Sequence, residues 1–232
     1  DLNVEGREFR GIHFAMDFLT ARNRVNAGIL TETDREKSAE GKRVLVIGGG
    51  DTGSDCVGTA IRQKAAGVTQ IEILPKPPAE RAQDNPWPWY ARILKTSTSH
   101  EEGCERLWGI STIRFVGDGS ITRGAEIEEV KWESVGGKKI MTPVPGTRRV
   151  IEADLILLAL GFLHPVTDGF TYGSGIELDN RKNIKVGDNL CTNLSGVFAA
   201  GDAVSGASLA VNAIASGRKC AIETDRFLRK ND

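Results

Sequence analysis

Val44-Leu45-Val46-Ile47-Gly48-Gly49-Gly50-Asp51-Thr52-Gly53 is the stretch that decides the fold: an apolar run empties into three glycines spaced as GxGxxG. A strand that opens into such a turn and continues as a helix brings backbone close to a pyrophosphate. On this reading Gly48 permits the tight turn, Gly50 leaves room for the phosphates, and Gly53 lets the helix pack against the strand. Asp51 and Thr52 then open the helix, whose unpaired N–H groups and positive dipole end favour an anion. A lone GxGxxG is weak in a chain with 27 glycines, so its surroundings must decide. Cys56, Val57, Ala60, Ile61 and Ala65 follow at helical spacing, Gly67 offers a stop, and residues 69–74 read as a second apolar strand. Strand, turn, helix and strand make a βαβ unit, which predicts a dinucleotide site rather than a merely structural turn.

The nicotinamide cofactor is selected near the end of the second strand, where an acidic side chain accepts from ribose hydroxyls and a basic one holds a 2′-phosphate. Ile71-Glu72-Ile73-Leu74-Pro75-Lys76 places Glu72 too early for that acidic contact, inside the strand rather than at its tip. Lys76 stands where the discriminator belongs and Arg81 follows, so NADPH is expected. The alternative is that both are solvated surface charges.

A second pattern, Gly196-Val197-Phe198-Ala199-Ala200-Gly201-Asp202, reads as a short strand leading into a small-residue helix that includes Ala210 and Val211. It resembles the place in two-dinucleotide flavoproteins where a Gly-Asp lies under the flavin ribityl chain. Asp202 would accept from ribityl hydroxyls there, and the helix start would favour charge on a reduced flavin. Residues 153–162 form an apolar strand ending at Gly161, with Pro165 beyond. This resembles the return from the nicotinamide domain to the flavin domain; the bland reading is a buried strand and turn.

Taken together, these motifs resemble the small (beta) subunit of glutamate synthase, within the group that includes dihydropyrimidine dehydrogenase and adrenodoxin-reductase-like domains. The matching text includes residues 11–19, the turn from Gly48 to Cys56, Leu74-Pro75-Lys76-Pro77-Pro78, Asn85-Pro86-Trp87-Pro88 and residues 201–217, and covers nearly the whole chain. The resemblance implies hydride transfer from NADPH to FAD, with electrons passed through iron–sulfur clusters to a large subunit that aminates 2-oxoglutarate with glutamine nitrogen. It also implies an N-terminal region with clustered cysteines and a first glycine turn for the ADP half of FAD. Neither is found in this sequence, so it reads as a C-terminal portion with an incomplete FAD site and the iron–sulfur centres elsewhere. Cys56, Cys104, Cys191 and Cys220 have no CxxC spacing, which argues against a metal or cluster here.

The expected architecture is α/β: a Rossmann-like nicotinamide-binding domain inserted in a partial FAD-binding domain. Residues 1–41 would be a crossover segment and linker, with 31–41 its most mobile part. Residues 42–157 would bind NAD(P)H, and 158–232 would be the C-terminal part of the FAD domain. A formal net charge of −1 without a basic run gives no footing for nucleic acid. No apolar run approaches the length of a membrane span and no signal peptide is visible. Sparse cysteines and a nicotinamide site suit the cytoplasm.

Pro75, Pro77, Pro78, Pro86 and Pro88 forbid a regular helix after the second strand. Trp87, Trp89 and Tyr90 are expected to cover something, either the nicotinamide cofactor or the core. Gly117-Asp118-Gly119-Ser120 predicts a hairpin turn between residues 113–116 and 125–132. Hydride transfer needs closeness and a dry site more than an acid or base, so no catalytic side chain is nominated. His13, His100 and His164 are read as structural. Three readings remain: an electron-input module of glutamate synthase, another flavoprotein reductase of the same superfamily, and a nucleotide-binding module without turnover in isolation.

Overall fold

A computed structural model describes residues 1–29, 35–166, 169 and 173–230, which divide into two compact units, Asp1–Gly161 and Phe162–Asp232. The first is built on five parallel strands: β1 (Ile12–Phe14), β2 (Arg43–Ile47), β3 (Gly67–Glu72), β4 (Glu105–Trp108) and β9 (Leu155–Leu158), in the order β1-β9-β2-β3-β4. Helices α1 (Ala15–Asn26) and α2 (Asp51–Arg62) and the short α3 (Thr98–Glu101) accompany them. Between β4 and β9 the chain leaves for an antiparallel sheet of β5 (Ile110–Asp118), β6 (Ile121–Val135), β7 (Lys138–Pro143) and β8 (Arg149–Glu152). The predicted hairpin is present, with β5 and β6 joined across Gly119 and Ser120.

Side-chain alternation explains the layering. Val44 and Val46 of β2 and Leu155 and Leu157 of β9 pack with Phe18, Cys56, Val57 and Ala60 on the helical side. Leu45 and Ile47, with Ile156 and Leu158, pack with Ile110, Phe115, Ala125 and Ile127 of the antiparallel layer. Strands buried on both faces read as continuous apolar runs, and those of β2 and β9 do. Successive residues of a strand alternate between faces, so Val68, Gln70 and Glu72 of β3 all face the helical layer while Ile71 faces the other.

The opening segment does more than cross over. β1 pairs with β9, and Phe18 of α1 is buried in the helical-side core. Residues 31–34 of the expected mobile linker lie outside the described residues. Beyond them Ala39 is fully buried, its N–H donating to Gln63 Oε1 at 2.6 Å.

The second unit holds α4 (Asp202–Ser205) and α5 (Ala210–Lys230) after a run of turns. The strand expected over residues 197–200 is reduced to one bridge, Cys191 with Phe198, because the opposing segment turns away at Leu190, which has φ +60° and donates to the Gly187 carbonyl. Phe198 meets Phe227 of α5 edge-on at 5.6 Å. Among the described residues no helix is long and apolar enough to cross a membrane.

Candidate functional site

At the end of β2 the backbone turns into α2 through the three glycines, and the space around each differs. Gly48 has φ +123°, and a Cβ there would lie 2.2 Å from the Ala159 carbonyl oxygen, so only glycine fits. A Cβ on Gly53 would lie 2.2 Å from the Gly48 carbonyl oxygen and 2.7 Å from Gln70 Nε2. Gly50 is the opposite case: its φ is −80° and nothing stands within 4 Å of a Cβ. Asp51 and Thr52 form the start of α2, where Gly50 is the N-cap and supplies no side-chain cap, so the first N–H groups of the helix keep no side-chain acceptor there. The structure thus brings Gly48, Gly50, Asp51, Thr52 and Gly53 together at a helix N-terminus, with open space beside Gly50.

Glu72 corrects the sequence reading. It is the last residue of β3, at the strand tip, and its Oε2 accepts from Gly49 N–H at 2.6 Å while Oε1 accepts from Leu74 N–H at 2.9 Å. The strand ends two residues earlier than expected because these two backbone donors turn inward to the carboxylate instead of continuing the ladder. Gln70, two residues before it, donates from Nε2 to the Gly48 carbonyl at 2.9 Å. That carbonyl and the Gly49 N–H belong to one peptide group, so two β3 side chains hold the first peptide of the turn by both ends.

Behind Gln70 stands a chain of polar contacts that sequence reading missed. His100 Nε2 lies 2.9 Å from Gln70 Oε1 and its Nδ1 lies 3.0 Å from Ser97 Oγ, which lies 2.5 Å from Ser54 Oγ on α2. Ser97 caps α3 and closes a capping box with His100. The signal in the sequence was Ser97 followed by His100 three residues on, a cap pattern in which histidine replaces the usual Glu or Gln.

The two expected phosphate-binding cations separate. Lys76 Nζ lies 5.0 Å from the centroid of the Trp108 ring at the end of β4, and Arg106 Cζ lies at the same distance from that ring. Trp108 is also the register partner of Glu72, so Lys76 is placed beside the β3 tip. Arg81 instead donates to the carbonyls of Asn85 and Trp89 at 3.0 and 2.9 Å. Asn85 is buried and in turn holds Tyr90 and Arg92, so this proline-rich loop closes on its own polar centre. Trp87, Trp89 and Tyr90 are exposed, so they do not cap the core, which corrects that one of the two expected roles.

Gly161 closes the first unit with φ +81° and open space beside it. Gly201, Asp202, Ala210 and Val211 all lie in the second unit. Gly201 has φ +66° and precedes α4, its N–H donating to Ser216 Oγ at 3.1 Å, and Asp202 Oδ1 accepts from Ser208 N–H at 3.3 Å. Ala210 begins α5 and Val211 is exposed on it. The four cysteines are free thiols.

Comparison with known proteins bears on the fold and the family. The chain is 43% identical over 231 residues to the glutamate synthase [NADPH] small chain of Mycobacterium tuberculosis, a match covering 98% of this chain and 46% of that protein. It is 39% identical to the corresponding Bacillus subtilis small chain, covering 98% and 48%. The Saccharomyces cerevisiae glutamate synthase [NADH] is also 39% identical, with 98% of this chain and 11% of that protein covered. The chain therefore spans about half the length of the small-chain relatives it matches. Among solved structures, M. tuberculosis FprA in complex with NADPH shares the fold at a TM-score of 0.66 and 13% identity, covering 99% of this chain and 60% of that one. The T. acidophilum thioredoxin reductase does so at 0.59 and 21%, covering 100% and 62%. The pyridine nucleotide-disulphide oxidoreductase pattern matches residues 2–217, and the chain belongs to that family.

Proposed function

We propose that this chain is the NADPH-binding, electron-input part of a glutamate synthase small subunit. The observation that carries the reading is the Gly48–Gly53 turn with its single vacant flank: Gly48 and Gly53 are hemmed in by protein, whereas Gly50 faces open space at the start of a twelve-residue helix. That space, lined by backbone N–H groups, fits a pyrophosphate. Lys76 on the Trp108 ring, beside the β3 tip, supports a 2′-phosphate partner. The names of the small-chain relatives support the choice of NADPH and of glutamate synthesis.

A bound nicotinamide would supply the hydride and a bound FAD would accept it. The chain's own contribution is to hold the pyrophosphate on the turn, to hold the adenosine ribose between the β3 tip and Lys76, and to present Gly201–Asp202 to the flavin chain. Electron passage to a large subunit, by way of iron–sulfur centres held outside this chain, follows from the same reading.

Titration of the purified chain with NADPH and NADH tests it. Saturable NADPH binding, lost when Gly50 is replaced by a larger residue, is expected. Absence of binding by either nucleotide overturns the reading.

A further inference from the structure

The peptide joining Gly48 to Gly49 is the pivot of the turn. Its carbonyl accepts from Gln70 and its N–H donates to Glu72, and both side chains come from the same face of β3. A carbonyl oxygen can only accept, so the Gln70 amide must present its NH2 to Gly48 and its oxygen to His100. His100 Nε2 must then carry a hydrogen and donate it, which leaves Nδ1 of the neutral ring to accept from Ser97. Ser97 in turn is joined to Ser54, in the first turns of α2. The chain of contacts therefore starts and finishes within the strand-turn-helix unit, and α3 serves as a strut across it.

We infer that His100 is a positioning residue for the dinucleotide turn: it fixes the Gln70 amide in the one orientation that holds the Gly48–Gly49 peptide, and hence the N–H groups that meet the pyrophosphate. The inference rests on the dinucleotide reading above. Burial and the nearby Arg106 guanidinium hold the imidazole below its ordinary pKa, which favours the neutral ring the arrangement requires. Were the ring absent, the buried Gln70 would lose the acceptor side of its orientation, and a flipped amide would set oxygen against the Gly48 carbonyl.

Two measurements on the 232-residue chain test the inference. The first needs no variant: long-range nitrogen–proton correlation spectra of the three histidines at pH 7 should show His100 neutral with its hydrogen on Nε2, and a hydrogen on Nδ1 alone overturns the inference. The second compares NADPH affinity. His100→Ala should raise Kd by about five- to tenfold, His100→Gln, which restores an N–H toward Gln70, should recover most of that, and Gln70→Glu should lose at least as much as the alanine variant. Glu102→Gln, which removes the negative charge facing Arg62 but keeps an acceptor oxygen, should leave Kd unchanged. Equal affinity for His100→Ala and the unaltered chain overturns the positioning role while leaving the dinucleotide site intact. Failure of the unaltered chain to bind NADPH overturns the site itself.

Discussion

Lys76 carries its ammonium over the Trp108 ring, 5.0 Å from the centroid, and so is held beside the tip of β3, with no carboxylate among the described residues forming an ion pair with it. An aromatic face orients a cation without neutralising it, which leaves the charge available to an incoming phosphate. Lys76→Ala should therefore weaken NADPH binding about tenfold, the value of a lost charge-assisted contact, and leave NADH binding within about twofold. Parallel titrations decide it. Equal losses for the two nucleotides would remove Lys76 from cofactor selection.

Arg81 should behave differently, because Nη1 of its guanidinium donates to the Asn85 and Trp89 carbonyls and so anchors the side chain in the proline-rich loop. Arg81→Ala should open the proline-rich loop to proteolysis and change NADPH and NADH affinity by the same factor. A selective loss of NADPH binding would instead return Arg81 to the phosphate site.

The glycines of the turn make a paired test. Gly53→Ala forces a methyl to 2.2 Å from the Gly48 carbonyl and should cost roughly 2–3 kcal/mol of stability, in the range of overpacking. Gly50→Ala meets nothing and keeps an allowed φ of −80°, so its melting temperature should match the parent's within experimental error. Its nucleotide affinity should nevertheless fall, since the methyl occupies the space left for phosphate. A Gly50→Ala variant that binds normally would mean that the open flank is not the phosphate site.

Asp154 ties the starts of β2 and β9 by accepting from the Arg43 backbone N–H and from its guanidinium. Those hydrogen bonds hold its pKa below the ordinary carboxylate value. A depressed carboxylate stabilises the fold fully above the unfolded pKa of about 4 and loses that contribution as pH falls through the folded value. Asp154→Asn should thus cost under about 1 kcal/mol at pH 7, the range of a solvent-screened pair, with the gap to the parent closing in acid. Urea titrations at several pH values would show it, and a gap independent of pH would refute the charge-based account.

Cys56 is fully buried on α2, and burial, with Asp55 adding to it, pushes its thiol up to about 12. Only the thiolate is a good nucleophile, so Cys56 should be the last of the four cysteines to react with an alkylating reagent. Mass mapping of a labelling time course would check the order, and early modification of Cys56 would show that α2 opens readily.

The strand-turn-helix unit was legible because its requirements are local: β2 is apolar on both faces, the turn demands glycine, and α2 shows the periodicity of one buried side. The hairpin at Gly119 was legible for the same reason. Glu72 was misplaced because a strand's last residue is fixed by where its neighbours' N–H groups go, here into the Glu72 carboxylate, and spacing does not reveal that. His100 was read as structural, but its pairing with Gln70 escaped notice because the two are thirty residues apart and meet only through the parallel pairing of β3 with β4, which brings α3 alongside. Arg81 looked free in the sequence because its acceptors are backbone carbonyls, which no residue type announces.

The hold that Gln70 and Glu72 keep on one peptide also limits how this turn could be engineered. A designer who grafted residues 44–62 onto another parallel sheet would transfer the glycines and the helix but leave behind the two side chains that set the plane of the first peptide. The smallest portable part is therefore the pair of adjacent strands with the turn between them, with β3 in an unshifted register. A one-residue slip there would swing Gln70 and Glu72 to the opposite face and leave Gly48 and Gly49 unheld.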